Sequence, residues 1–546
     1  MKLKEKHCWF LGFTAVFAVL VGFVFWGTWS TDFAPVMPDC PFMYGPDYAL
    51  GTLRGMFASG KFVPADVCKF LGSPYFWQEL QYAIALYCAA LGMVYYCRGR
   101  GLSRLASYGA GLLLALSGYW CTLFSAGHLG WFQWMTYGVF AFGLADRAVR
   151  KGNLRHWLLL GACVAWGSCY QADLWLLFTL LTGAYFIWCC VRERKFPWKG
   201  AILAAAVFFA VGAPHIRSAF VNDLAGRDKQ IAEGQTVSAK DKATVDEREK
   251  RWIFVTNWSL PPSETAEFFI PRINGDTSCP MTLSLGARYG TGVKPYTGAL
   301  GRPKDAPAGN YRQHSLYVGL VTCLLALLGV VLALLRTRGG VSVRTDIAFF
   351  AIAAVLCWLL SMGRYCEPVY RVVFSLPFGD YLRAPVKWHH LTEFAICVLA
   401  GFGIECLLSL LSRVSGLKSF ALPIVGAIVL IGAIDLARVD RLYCAPVDLR
   451  EAKRQNCNFQ MTFLRRSDFN NPQVAAMVQQ KKIVSLAQPN PETYLVGVLQ
   501  PRGPRTDTPW PPMGAATWLG VLSVCSAIVA ILAGLRWRRQ LHCSAP

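Results

Sequence analysis

The sequence predicts an all-α, polytopic membrane protein with about twelve transmembrane helices. Of its 546 residues, 54% are hydrophobic, and the mean hydropathy is +0.36. A chain this long and this apolar does not fit a single soluble core. Apolar runs of roughly 18 or more residues recur along it, and a helix needs this length to cross a bilayer. The predicted spans lie near 8–29, 77–97, 105–124, 129–146, 156–172, 174–191, 199–219, 314–335, 346–363, 388–411, 420–436 and 516–535.

Clusters of Lys and Arg border these spans on one side of the alternation. Because such clusters collect on the cytoplasmic side of a membrane, we expect both termini to be cytoplasmic. The first span lacks a small-residue cleavage site before Trp26 and is interpreted as a retained helix. The net charge of +22 is partly explained by this basic collar, which attracts anionic membrane lipids. The seven clusters begin at Lys2, Arg98, Arg147, Arg192, Arg336, Arg413 and Arg536.

The long segments between spans predict the domain organisation. Residues 1–436 form a membrane domain with external loops near 30–76, 220–313 and 364–387. Residues 437–515 contain β-like runs and Pro-rich turns, so they are expected to form a small external α/β-like cap segment. Residues 516–546 supply the last transmembrane helix and a basic cytoplasmic tail.

A basic loop on the predicted external face runs against the usual charge rule. It carries Arg364, Arg371, Arg383 and Lys387 within 24 residues. Cations on the side opposite the cytoplasm suggest that an anion binds there, and a phosphate at the membrane surface is such an anion. Such a phosphate would gain bidentate contact from arginine and a point charge from lysine. The alternative is that these cations only meet lipid headgroups.

Two histidines and a glutamate follow that loop in the tenth predicted span. Glu393 lies three or four residues after His389 and His390, so on a helix it could accept a hydrogen bond from either. That pairing would orient a donor toward the phosphate. A purely structural hydrogen bond inside the helix bundle explains the spacing equally well.

Two further candidates lie at short external turns. His128 is flanked by Trp131 and Trp134, an arrangement that suits contact with a sugar or a phosphate but also fits an interfacial aromatic belt. Asp173 is expected to be exposed at the next short turn, where it could equally cap the sixth span.

The first external loop supplies a carboxylate just before a helix-like segment. Asp47 precedes the run 50–59. An acidic residue there can simply cap the helix. It can also take a proton from an acceptor hydroxyl while a phosphate leaves the donor.

Longer stretches of the chain resemble a known family. The pattern Gly-x-Asp at 45–47 is followed by a helix-like run and then SGKFVPADVCKFLGSPYF. The late segment 359–403 reads LLSMGRYCEPVYRVVFSLPFGDYLRAPVKWHHLTEFAICVLAGFG. Both resemble signatures of bacterial YfhO-like membrane proteins, a branch of the GT-C type glycosyltransferases. The segments FSAGHLGWFQW, EFFIPRINGD and YVGLVTCLLALLGV are also similar to segments of that family.

The resemblance implies a GT-C-like fold in the bacterial inner membrane with its active face external. It implies a lipid-linked sugar donor, usually a polyprenyl phosphate sugar, and Asp47 matches the loop-one acid. Asp39 and Asp32 remain alternatives for that role. Arg383, Lys387, Arg364 and His389 would hold the donor phosphate.

The same resemblance suggests the residues that contact substrate. In EFFIPRINGD, Arg272 lies beside apolar anchors and would belong to a lid over the acceptor. His128, Asp173 and Glu393 would complete the set.

Two segments depart from the family pattern. Relatives often continue the Gly-x-Leu-Pro element with Leu-Trp-Asn, whereas here Pro64 is followed by Ala65 and Asp66. Relatives often carry His-Pro-Gln after the fifth span, whereas this chain reads Tyr-Gln-Ala-Asp at 170–173. These departures leave the substrate type open.

Several function classes lack a signal. There is no Walker loop, Gly-x-Ser-x-Gly or dinucleotide fingerprint, and no basic stretch resembles a nucleic-acid-binding domain. No Cys-x-x-Cys or His-Glu-x-x-His spacing marks a metal site, so no metal ligand is assigned and a divalent metal stays possible. No pairing can be chosen for the cysteines in predicted external segments. These are Cys40, Cys68, Cys279, Cys366, Cys444 and Cys457.

The leading hypothesis is a membrane glycosyltransferase that passes a sugar from a polyprenyl-phosphate donor to an external cell-envelope glycan, lipid or protein. The same external cations would also suit a transporter or flippase of a lipid-linked anion. An enzyme resembling O-antigen ligases is a third interpretation, which the motifs favour less.

Overall fold

The computed structural model is mostly helical, and the prediction of a helical, multi-pass membrane protein is confirmed. Within the described residues, seven helices are long and apolar enough to cross a membrane: His7–Val24, Leu80–Gly99, Leu174–Glu193, Trp198–Val221, Val343–Ser361, Pro385–Leu411 and Ala421–Tyr443. The structure describes residues 2–27, 33–35, 54, 56–60, 74–121, 134–167, 172–224, 226, 228–229, 246–274, 315–335, 341–377, 379–444, 446–448, 457–480, 482–490, 493–501 and 514–543.

The described part of the chain forms fifteen α-helices. They are α1 Lys2–Val24, α2 Pro74–Gly99, α3 Arg104–Ala115, α4 Val139–Lys151, α5 Leu154–Gly167, α6 Ala172–Glu193, α7 Trp198–Ser218, α8 Glu247–Val255, α9 Leu320–Leu335, α10 Val341–Ser361, α11 Glu367–Phe374, α12 His389–Leu411, α13 Ala421–Tyr443, α14 Pro472–Gln479 and α15 Ala515–Cys543. Each predicted span overlaps one of these helices. Several are shorter than a bilayer crossing, so the total of about twelve spans stays a prediction.

One predicted span is not a continuous helix. Helix α3 ends at Ala115, and the chain turns before it resumes a helical path over 118–121. Ser117 Oγ donates to the carbonyl of Leu114 at 2.9 Å, and the N–H of Gly118 donates to the carbonyl of Tyr317 at 2.9 Å. Broken helices are tolerated in membrane proteins only where other protein groups satisfy the freed backbone. The prediction of one helix over 105–124 is therefore wrong at Ser117.

Helix α12 is the central element of the bundle, because nearly all its residues from His389 to Ile404 are buried. It crosses α9 at two glycines, Gly329 and Gly403. A Cβ on Gly403 would lie 1.8 Å from the carbonyl oxygen of Leu325, so only glycine permits this close approach. Small residues at such crossings are what allow helices to pack in lipid.

A buried ionic cluster joins the ends of four helices, α2, α4, α6 and α10. Asp146 of α4 contacts Arg192 of α6 at 2.6 Å and Arg100, just after α2, at 3.2 Å. Asp346 of α10 also pairs with Arg100 and Arg192. Arg150, one turn after Asp146, pairs with it at 2.6 Å. Buried charges persist only where they are paired, so this cluster fixes the relative positions of four helices.

Among the described residues, one short strand lies in the first predicted external loop and the other four strands follow α13. The strands are β1 Phe33–Pro35, β2 Pro446–Asp448, β3 Cys457–Arg465, β4 Ile483–Asn490 and β5 Thr493–Pro501. Strands β3, β5 and β4 form an antiparallel sheet in that order, with α14 between β3 and β4 in the chain. Strand β1, from the first predicted external loop, pairs antiparallel with β2. This pairing joins residues 33–35 to the segment directly after α13.

Candidate functional site

The basic loop that precedes α12 is hydrogen-bonded to the segment that follows α8. The N–H of Ala384 donates to the carbonyl of Val255, and the N–H of Val386 donates to the carbonyl of Trp258, both at 3.1 Å. Leu260 of the same segment donates to the carbonyl of Ser361 at 2.9 Å. The end of α10, the segment 255–260 and the start of α12 therefore form one scaffold.

Gly363 and Arg364 belong to this scaffold. Gly363 has φ +48°, and an added Cβ there would lie 2.2 Å from Ser259 Oγ and 2.5 Å from Pro385 Cγ. The guanidinium of Arg364 donates twice to the carbonyl of Thr256, at 3.1 and 2.8 Å, while its N–H donates to Ser259 Oγ at 3.0 Å. Burial lowers the pKa of Arg364. These hydrogen bonds of Arg364 connect the basic loop to the segment 255–260.

Arg383 and Lys387 bracket the backbone turn at the entry to α12. Ala384 between them has φ +65°, a left-handed conformation that is costly for a residue with a Cβ. The guanidinium of half-buried Arg383 lies 4.9 Å from the ring centre of Phe254. Lys387 is only 5% exposed. An anion that contacts Lys387 would therefore lie within the protein rather than at its open surface.

The fourth arginine of the loop differs from the others. Arg371 of α11 pairs with Glu367 one turn earlier at 2.5 Å, and both side chains are about half exposed. Its guanidinium also lies 4.5 Å from the ring of Trp252. A cation already matched by a neighbouring carboxylate at the surface is a poor candidate for holding a phosphate.

The two histidines of α12 are fully buried between aromatic rings. His389 lies 4.3 Å from the ring of Phe268, and His390 stacks between Tyr119 at 4.0 Å and Trp120 at 4.2 Å, measured between ring centres. Both histidines are 0% exposed. The packed rings fix the orientation of both imidazoles and exclude bulk water from them.

Glu393 contacts a backbone group as well as a histidine. Its Oε1 accepts the N–H of Tyr119 at 3.3 Å. His390 Nδ1 lies 3.6 Å from Oε2, which is too long for a hydrogen bond although the charges would attract if the ring were protonated. Glu393 therefore caps the helical turn after the break in α3. Of the two options that the sequence left open for Glu393, a structural hydrogen bond inside the bundle describes this contact better than a hydrogen bond to a histidine.

Sequence reasoning missed Tyr119 and Trp120, which line the histidine cluster. They reach it because the chain breaks at Ser117 and redirects the residues that follow. The only sequence signal for the break that we identify is the adjacent pair of small residues, Ser117 and Gly118. In the structure, a Cβ on Gly118 would lie 2.7 Å from Ser315 Oγ, which explains why a glycine is found there. Two small residues inside an apolar run are too common in membrane helices to identify a break alone.

The remaining candidates lie in other segments than this scaffold or outside the described residues. Arg272 lies half-buried in a turn after Pro262–Phe268 with φ +62°. Asp173 is in the first turn of α6, and its side chain lies outside the described residues. Asp39, Asp47 and His128 also lie outside them, so their roles stay predictions. Within the described part of the chain, no group of three or more His, Cys, Asp or Glu residues could hold a metal ion.

These long apolar helices and the enclosed polar cluster define a multi-pass helical membrane protein. No family model and no curated protein sequence matches the chain. Two solved structures of ArnT from Cupriavidus metallidurans are similar to it at 12% identity, covering 90% of this chain and 98% of ArnT. The form bound to undecaprenyl phosphate superposes with a TM-score of 0.28 and the apo form with 0.26. Scores this low do not establish a shared fold.

Proposed function

We propose that this chain is an integral-membrane glycosyltransferase. It moves a sugar from a polyprenyl-phosphate-linked donor to a glycan, lipid or protein of the bacterial cell envelope, on the external face of the inner membrane. The observation that carries the proposal is the shared scaffold of the basic loop: Arg364, Arg383 and Lys387 all lie on backbone that is hydrogen-bonded to residues 255–260. Cations held in advance favour the charge that develops on a departing phosphate.

The surroundings of the basic loop suit a lipid-linked anion better than a free one. Helix α11 buries Tyr370 and Phe374 while Val372 and, just beyond it, Leu376 are 64% and 55% exposed. A short helix with apolar side chains on both faces suits the boundary between protein and lipid chains. A phosphate attached to a long apolar chain would match both the cations and this surface.

The proposed reaction assigns a separate role to each group. The acceptor hydroxyl attacks the anomeric carbon, and Asp47, or alternatively Asp39, takes its proton. The bond between that carbon and the phosphate oxygen breaks, and the carrier phosphate keeps the electron pair. Arg383, Lys387 and Arg364 stabilise the phosphate in this proposal.

The other candidates have secondary roles. His389 supports the donor phosphate from behind the loop, while His128, Asp173 and Arg272 contact the sugar or the acceptor. Glu393 acts through the backbone of Tyr119 rather than on the substrate, because its contacts lie inside the bundle.

A transfer assay tests the proposal. Purified protein in nanodiscs is incubated with radiolabelled polyprenyl-phosphate sugars and cell-envelope acceptors, with and without EDTA to test for a divalent metal. We expect Asp47→Asn to lower the transfer rate by about 10²–10⁴-fold. Arg383→Ala is expected to lower it by about 10²–10³-fold.

Arg371→Ala is the matched control, because it removes an arginine of the same loop that is already paired with Glu367. Its transfer rate should stay within about twofold of the wild type, as expected for loss of an exposed pair. Equal losses in Arg383→Ala and Arg371→Ala would contradict the role of the scaffold. Binding of the carrier that depends on Arg383, with no donor losing its sugar, would favour the transporter or flippase instead.

A further inference from the structure

Two buried cysteines lie in contact at one end of the bundle. The Sγ atoms of Cys121 and Cys444 are 3.4 Å apart although the residues are 323 positions apart in the chain. Each residue is 1% exposed. The Sγ of Cys121 also lies 3.4 Å from the carbonyl oxygen of Asp440, one turn before Cys444, and this contact directs the thiol toward α13.

The predicted topology places this contact at the external ends of two helices. Helix α3 starts at Arg104, in a basic cytoplasmic cluster, and runs toward Cys121. Helix α13 starts after the cluster that contains Lys418 and ends just before Cys444. Strand β2 begins two residues beyond Cys444 and pairs with β1 of the first external loop. External compartments are oxidising and permit disulfides that the cytoplasm does not.

We propose that Cys121 and Cys444 form a disulfide in the mature protein. The bond forms by thiol–disulfide exchange with an oxidised dithiol protein, before the bundle encloses the pair. The two thiols lose two protons and two electrons, and the disulfide of the oxidant is reduced to a dithiol. The proposal does not depend on the glycosyltransferase activity.

The bond would fix the aromatic layer of the candidate site. Cys121 directly follows Tyr119 and Trp120, whose rings enclose His390. A link to the end of α13 holds this short segment, which the break at Ser117 has separated from α3. The disulfide would therefore help to hold Tyr119 and Trp120 in position against His390.

Mass spectrometry of the full-length protein tests the proposal. Membranes are prepared in an alkylating reagent, the protein is denatured without reductant in the same reagent, and its peptides are analysed before and after reduction. The expected result is a linked pair of peptides joined through Cys121 and Cys444, which separates on reduction. In Cys121→Ser, the linked pair should be lost and Cys444 should be alkylated.

Cys357→Ser is the matched control, because Cys357 is a buried cysteine of α10. This variant should retain the linked peptides in the wild-type proportion. Alkylation of both Cys121 and Cys444 in most wild-type molecules would overturn the proposal, and so would a peptide that joins Cys444 to another cysteine. The wild-type measurement alone decides the question if a serine variant fails to fold.

Discussion

Replacing Asp346 by asparagine should destabilise the protein far more than removing an exposed ion pair. Asp346 is 0% exposed, and it pairs with Arg100 and Arg192, which are each 5% exposed. In the wild type, the buried carboxylates of Asp146 and Asp346 and the partly exposed carboxylate of Glu193 face three guanidinium groups. The variant leaves a single buried carboxylate, that of Asp146, and the partly exposed Glu193 against all three.

The magnitude follows from burial. Removing one partner of a buried ion pair leaves an uncompensated charge and costs about 3–5 kcal/mol. An exposed pair is worth about 0–1 kcal/mol. Glu367→Gln is therefore the control, because it removes the pair with Arg371, whose side chains are 49% and 48% exposed.

The free energy of unfolding of the wild type and both variants is measured in the same detergent, with near-ultraviolet circular dichroism as the signal for unfolding. A double-mutant cycle of Asp346→Asn with Arg192→Gln should show that the two losses do not add, because the residues share one cluster. A loss below about 1 kcal/mol for Asp346→Asn, or one equal to that of Glu367→Gln, would refute the inference that the cluster fixes the helices.

Two further predictions concern the scaffold around the basic loop. Gly363→Ala should cost about 1–3 kcal/mol, because φ is +48° and the new Cβ would lie 2.5 Å from Pro385 Cγ. Gly183→Ala, whose Cβ would meet nothing within 4 Å, is its control, and equal melting temperatures for the two variants would contradict the prediction. Arg364→Lys should lower the melting temperature by an amount that corresponds to about 1–3 kcal/mol, because lysine cannot reproduce the paired contact with the carbonyl of Thr256. An unchanged melting temperature would show that Arg364 does not brace the loop.

The sequence was a good guide to the membrane class and to the position of the basic loop. Span length follows from bilayer thickness, so an apolar run identifies a candidate helix without knowledge of its neighbours. The same reasoning could not find the break at Ser117, because the break depends on the carbonyl of Tyr317, which is distant in the chain. Helical spacing also left two partners open for Glu393, a histidine or a structural hydrogen bond, and could not identify the N–H of Tyr119, 274 positions away, which Glu393 Oε1 accepts.

The sequence by itself determined that the chain is helical and membrane-spanning, and it located the basic loop that carries Arg364, Arg383 and Lys387. Both conclusions rest on local patterns, apolar run length and charge along the chain. Only the tertiary structure decided which cations share a scaffold, because Arg364 reaches the carbonyl of Thr256 across 108 positions. It also decided that Lys387 is enclosed and that Arg371 is exposed and paired. Such contacts arise from packing between distant segments, which no local pattern encodes.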